Sequence, residues 1–303
     1  MQRLLCVIAL SVLSLSASRL SADGAYSIHR KEAKEGDVYQ VKKTDAVTIN
    51  TKVLDTGGKT LLDSKSTTVV SGSFRETIFK CEGKAPTRLE RAYEQAQVTV
   101  DGKTTDLVYK GKTVLIEKKD GKYSFTMDGK ELTGVEAEYL IKEFVVGVDS
   151  KADLEHAVAP NSPVRINETW NMDLAPFVAD TARSGQMELD LEKAKGTATL
   201  LKAYHKDGKL FAEIKVGLVL PIKSLGKGVL KVATHEGSAA TLDMDLEGCV
   251  DGSSRTANVK RVTNVEAKSS MSLPDGTKVS MLLSVQYKVE ENRQDVTKEV
   301  SKN

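Results

Sequence analysis

The chain has 303 residues, 44 Lys and Arg against 42 Asp and Glu, only 5% aromatic residues and a mean hydropathy of −0.28. Loss of a leader ending at Ala22 removes Arg3 and Arg19 and leaves positive and negative side chains balanced, which excludes the basic stripe by which nucleic-acid binders displace counterions from phosphate. The roughly 280 residues that remain suffice for one large sandwich or two ordinary units, and the scarcity of aromatic side chains predicts an aliphatic core.

Residues Met1 to Ala22 have the order of a secretory signal: Arg3, an apolar core from Leu4 to Leu15, then the small residues Ser16, Ala17, Ser18, Ser21 and Ala22. The apolar run breaks into serines after about 12 residues, short of the length a spanning helix needs, and no later run is longer. The segment 1–22 is therefore read as a signal peptide, and the mature chain as exported to the periplasm or beyond and not membrane-spanning. Cys6 lies inside the apolar core and Asp23 follows Ala22, an order that does not suit lipidation. In an oxidising compartment the remaining Cys81 and Cys249 are expected to form a disulfide joining the two halves, with two buried free thiols as the alternative.

Downstream, Asp-Gly dipeptides at Asp101, Asp120, Asp128, Asp207, Asp251 and Asp275 punctuate runs of alternating apolar and polar residues. A type I′ turn needs positive φ at both central positions, which Asp tolerates and Gly adopts freely, so this pattern predicts a ladder of hairpins. Tyr39, Val41, Val47, Ile49, Thr51 and Val53 share one face of a first strand. A second strand covers about Thr67 to Cys81 and a third begins near Thr87. At Thr133 the period changes. Thr133 and Glu136 have capping-box spacing, and Val135, Leu140, Ile141, Phe144 and Val145 fall on one helical stripe through about Val146. A short helical turn is expected from Lys151 to Val158, ended by Pro160 and Pro163.

The second half returns to period two. Met187, Leu189 and Leu191 alternate with acids, as do Leu242, Met244 and Leu246, and Val279 to Val289 form one face of a long final strand. Phe211 to Ile222 is nearly all apolar and is expected as a central strand buried on both faces. The fold class predicted is mainly β, with antiparallel hairpin-rich sheets in two units, 23–162 and 163–303, and one amphipathic helix near the middle. A weak echo relates the halves: Cys81, Arg91 and Asp101 against Cys249, Arg261 and Asp275.

Motifs for chemistry are wanting. His29, His156, His205 and His235 lie far apart in the chain, and none has metal-helix spacing. The Gly-Lys-Thr strings at Gly58, Gly102 and Gly111 lack the glycine of a phosphate loop, since Val53, Gln97 and Asp106 stand where it belongs. Gly226 and Gly228 lack the rest of a dinucleotide fingerprint. The alternating acids Glu188, Asp190, Glu192 and Asp243, Asp245, Glu247 are better explained as outward faces of strands than as a calcium site, because same-face residues lie about 6.6 Å apart. Asn167-Glu168-Thr169 matches a glycosylation acceptor. No catalytic residue, cofactor or metal is assigned.

The run Pro163-Val164-Arg165-Ile166-Asn167-Glu168-Thr169-Trp170 resembles the Pro-Val-x-x-Gly-x-x-Trp signature of an uncharacterised family of exported β-rich proteins of planctomycete-type bacteria, with Asn167 in the place of Gly. Gly36-Asp37-Val38-Tyr39, Arg91-Ala92-Tyr93 and Gly111-Lys112-Thr113-Val114 are similar as well. The resemblance implies no activity, catalytic residue or cofactor. The leading reading is an exported, non-enzymatic binding or envelope-associated protein; the alternative is a hydrolase whose site is assembled from distant loops. The partner expected is an apolar ligand, contacted by Val135, Leu140, Ile141 and Phe144, or an envelope protein. The competing reading is that this stripe simply completes the core.

Overall fold

The computed structural model describes residues 24–83, 85–144, 158–175, 187–226, 231–272 and 276–297. The signal segment, Val145, Val146, His156, Asp275 and the turn expected over 151–157 lie outside the described residues. The strands are β1 Ala25–Tyr26, β2 Val38–Asp55, β3 Thr60–Glu82, β4 Ala85–Val100, β5 Lys103–Asp106, β6 Thr113–Lys119, β7 Lys122–Met127, β8 Lys130–Glu131, β9 Val164–Arg165, β10 Thr169–Asn171, β11 Met187–Leu189, β12 Lys195–Lys206, β13 Lys209–Leu225, β14 Val232–Ala233, β15 Ala239–Cys249, β16 Ala257–Ser272 and β17 Lys278–Asp295.

β1 pairs with β9, and the others form one 15-stranded sheet in the order β10-β12-β13-β15-β16-β17-β2-β3-β4-β6-β7-β8, with β11 and β14 beside β13 and β5 beside β4. The protein is thus mainly β and antiparallel. The last long strand lies beside the first: β17 pairs with β2 from Val279 opposite Asp55 to Asp295 opposite Tyr39, so the two halves meet edge to edge in one sheet.

Turn chemistry accounts for the ladder. Asp101, Asp120, Asp128 and Asp207 take φ of 47–51° and the glycines after them 73–86°, closing β4–β5, β6–β7, β7–β8 and β12–β13 as the sequence predicts. At Asp251 only Gly252 has positive φ, and a wider loop joins β15 to β16. Asn167 takes φ 68°, a left-handed conformation open to Asn as well as Gly, and the tight turn before Trp170 forms without the glycine. Trp170 then packs on a cluster that includes Val164, Leu200 and Ile214, and donates its indole N–H to Val158 O at 2.9 Å.

Three expectations are corrected. Strand β13 is an inner strand but third from one end of the sheet, and it is buried on one face only: Ile214, Val216, Leu218, Leu220 and Ile222 are buried while Lys215, Val219 and Lys223 face outward, because a single layer has no second sheet to cover its outer side. Strand β11 ends at Leu189, and Leu191 is exposed. The capping box does not form. Gly134 has φ 57°, which no right-handed helix accepts; residues Gly134–Glu136 make a 3₁₀ turn with no side-chain cap from Thr133, and regular helix starts at 138. The stripe that this helix and the turn before it bury is Ala137, Leu140 and Phe144, and Val135 is 80% exposed.

The cores lie toward the two ends of the sheet. One cluster joins Tyr39, Val41, Phe74, Ile78, Leu89, Tyr93, Tyr109, Phe125, Leu140 and Phe144; two others, with Leu200, Ile214 and Leu246 and with Leu189, Leu218 and Ile222, lie in the second half. The first is rich in aromatic rings, so the prediction of an aliphatic core holds for the second half alone. Few as they are, the rings concentrate there: Tyr93 stands 5.1 Å from Phe74 and 4.7 Å from Tyr109. Register shifts between Ser73 and Phe74, between Ile78 and Lys80 and between Leu200 and Lys202 mark bulges, which bend and twist the strands that carry them.

Candidate ligand-binding cavity

Directly opposed residues of antiparallel strands share a face, so the register shows what the inner surface is made of. One row across β3, β2, β17, β16, β15 and β13 reads Gly72, Lys43, Glu291, Val259, Leu246, Ile214, and the next reads Val70, Asp45, Val289, Arg261, Met244, Val216. All of these line one cavity of about 810 Å³, together with Tyr93 and Ala96 of β4. Laid flat, strands from β13 to β4 would span about 30 Å. That they bound one cavity means the sheet curls around it. Glu138, Tyr139, Leu140, Lys142 and Glu143 close one side, and Ile28, Val158 and Ala159 contribute further wall.

The change in burial along each strand shows where packing stops. Tyr39 and Val41 at the start of β2 are buried, whereas Val47 is half-buried and Ile49 is 40% exposed on the same face. Val70, Met244, Val259 and Tyr287 are likewise half-buried. Their outer ends meet the cavity, not another layer of protein.

A chain of ion pairs crosses the floor beneath the helix. Arg91 donates through Nε to Glu76 at 2.8 Å and through Nη1 to Glu143 at 2.9 Å; Arg293 reaches Glu76 at 3.1 Å; Lys43 reaches Glu143 at 3.3 Å and Asp45 at 2.8 Å. Arg91 also lies over Phe74 and Phe144, 4.3 and 4.7 Å from their ring centres. Burial opposes the charge on Glu76, but Arg91 and Arg293 outweigh it and lower its pKa. Burial likewise opposes Lys43, which Glu143 and Asp45 keep charged. Burial, with the Asp45 charge adding to it, keeps the Tyr287 phenol protonated. Two buried polar atoms of residues that line the cavity have no hydrogen-bond partner among the described residues, Asp45 Oδ1 and Arg261 Nε.

Of the four residues expected to contact an apolar ligand, Leu140 lines the cavity. Phe144 packs beneath it against Tyr123 and Phe125, and Ile141 and Val135 point away, 40% and 80% exposed. The expected disulfide is corrected: Cys81 and Cys249 are free thiols, Cys81 lying 3.6 Å from Ala33 O and Cys249 held 3.2 Å from Asp251 and 3.4 Å from Ser253. Each has a local partner in its own part of the sheet, and no bridge joins them. Among the described residues no group of His, Cys, Asp and Glu is placed to hold a metal ion, and no helix is long and apolar enough to cross a membrane. Glu188 and Asp190 pair with Lys231, Lys223 and Lys193.

Sequence reasoning passed over the charged floor. Its signal was present in β2, where Lys43 and Asp45 interrupt the face that runs Tyr39, Val41, Val47, Ile49, and in β4, where Arg91 stands between Leu89 and Tyr93. A charge on the apolar face of a strand marks either a buried pair or a site.

No protein-family model and no curated protein matches the chain. Among solved structures it is similar to a lipovitellin studied for its lipid–protein interactions, with 9% identity and a TM-score of 0.33 over 86% of this chain, and it spans 26% of that chain. It is also similar to an outer membrane channel from Pseudomonas putida F1, at 8% identity and a TM-score of 0.18, with 89% of this chain and 98% of that one covered.

Proposed function

We propose that this is an exported, non-enzymatic binding protein that takes an apolar or amphiphilic molecule against the concave face of its sheet. The observation that carries the reading is the cavity of about 810 Å³ lined by side chains from β13, β15, β16, β17, β2, β3 and β4, among them the half-buried Val47, Val70, Leu242, Met244 and Val259. Its volume suits one ligand of ordinary size, for which about 300–1,000 Å³ is usual. Export rests on the pattern of Met1 to Ala22, and the resemblance to exported β-rich proteins agrees with it. A binding role is favoured over hydrolysis because Glu76, Glu143 and Lys43 are engaged in ion pairs with other side chains of the chain, which fits groups that hold a shape better than groups free to shuttle protons.

The test is native mass spectrometry of the exported protein followed by lipid extraction, beside Val70→Trp and Met244→Trp variants. A bound apolar molecule, lost or displaced in the Trp variants while their melting temperatures stay near that of the parent, is the expected result. A parent protein that neither carries nor takes up any apolar probe would overturn the reading.

A further inference from the structure

The cavity is not apolar throughout. Lining residues from β13 and β15 on one side and from β3 and β4 on the other are uncharged; the strand-borne charges sit on β2, β16 and β17 in the middle. Among the described lining residues, including helix and loops, there are six Lys and Arg and four Asp and Glu.

Most of the central charges are matched by ion pairs, whereas Arg261, which lines the cavity against the Tyr287 ring, makes no ion pair among the described residues, and Asp45, also in the lining, pairs through one carboxylate oxygen with Lys43 and has no hydrogen-bond partner at the other. A charged group held in a poorly solvated wall without a partner is costly, and it asks for one. The two side chains do not pair with each other. Val289 stands between them, opposed to Asp45 on one side and to Arg261 on the other, so their Cα atoms are two strand spacings apart, about 10 Å. Tyr287 packs against the Arg261 guanidinium, 5.4 Å from ring centre to carbon, and leaves the Nε–H without an acceptor of its own. A molecule that engages both side chains presents an acceptor to the guanidinium, where an anionic oxygen matches its charge, and, a few bonds away, a hydrogen-bond donor to the carboxylate.

We infer that Arg261 and Asp45 read the head group of a single-chain phospholipid: Arg261 donates to a phosphate oxygen, Asp45 accepts from a hydroxyl or ammonium group beside that phosphate, and one acyl chain lies along the uncharged walls. The inference rests on the binding reading above and adds the head group to it. Phosphoglycerol and phosphoethanolamine share this chemistry, whereas phosphocholine has the phosphate without the donor.

Mature protein stripped of bound lipid is titrated with lysophosphatidylglycerol, lysophosphatidylethanolamine, lysophosphatidylcholine and an uncharged fatty alcohol of the same chain length. At least one of the first two is expected to bind about 10-fold more tightly than the last two, and which of them does so identifies the donor. Arg261→Gln is expected to weaken binding of that lipid about 10-fold and to leave the alcohol unchanged, and Asp45→Asn to narrow its advantage over the choline lipid. Arg261→Met, which keeps much of the length and removes every donor, serves in place of Arg261→Gln if that variant does not fold. Equal affinity for all four molecules, or an affinity for the preferred lipid that Arg261 variants do not change, overturns the head-group inference while the cavity reading stands. If the alcohol and the lipids all fail to bind, both readings fall.

Discussion

Arg91 shows how charge is tolerated inside this sheet. It is 4% exposed, yet Glu76 and Glu143 engage its donors and two aromatic faces cover its plane, so its desolvation is offset on every side. Removing it leaves Glu76 with Arg293 alone and Glu143 with Lys43 alone in a poorly solvated place. Arg91→Ala is therefore expected to lower the unfolding free energy by about 3–5 kcal/mol, the usual consequence of breaking a buried pair. Arg88→Ala, which breaks an ion pair with Glu117 at a half-exposed position, is expected to change it by no more than about 1 kcal/mol. Denaturant midpoints of the two variants decide the matter, and similar values would mean that the floor network does not hold the helix to the sheet.

At the scale of elements, the segment before β2 is tied to the end of β17 through Lys31, which reaches Asp37 at 2.8 Å and Asp295 at 2.9 Å. Burial works against the Asp295 carboxylate, but hydrogen bonds from Thr297 and Lys31 outweigh it and bring its pKa to about 2. A carboxylate whose pKa is depressed on folding stabilises the fold above the unfolded value, near 4, and loses that contribution as pH falls toward the folded value. The unfolding free energy should fall between about pH 4 and pH 2, and Asp295→Asn should flatten that slope; an identical acid profile in the variant would show that this tie is not what acid breaks. Elements such as these differ in how far they could be read from residues. The hairpins were legible because Asp101, Asp120, Asp128 and Asp207 each stand before a Gly between alternating runs, a signal that needs no tertiary contact. The helix was half legible. Leu140 and Phe144 keep their places on the stripe, but Gly134 at positive φ delays the start, and a stripe drawn from Val135 put two exposed side chains inside. The inner faces of β15 and β17 were legible as faces. That they line a cavity and do not meet a second layer was not, because Met244 or Tyr287 has the same sequence pattern whether its tip meets protein or space.

At the scale of the whole molecule, the division of the chain at residue 163 follows the sequence, but the sheet does not divide there. Strands β2 to β8 occupy one end of it and β10 to β17 the other, and the join is the ladder between β17 and β2, which runs the length of both strands. The cavity belongs to the join: β2 and β3 supply one part of its wall and β15, β16 and β17 another, with Lys43 opposite Glu291 and Asp45 opposite Val289 across the seam. Separating the halves would expose an unpaired edge of 18 residues on each, with Tyr39, Val41, Val47 and Ile49 on one and Val279, Val285 and Val289 on the other. Long, alternating edges of this kind pair with whatever strand they meet. The segments 23–162 and 163–303, produced separately, are therefore expected to self-associate or precipitate, and to give a soluble one-to-one complex with recovered ligand binding when produced together. Size-exclusion chromatography with light scattering checks both outcomes. Two halves that stay monomeric and unfold cooperatively alone would mean that each closes its own core without the seam, and that the cavity is a gap between two independent units and not the interior of one curved sheet.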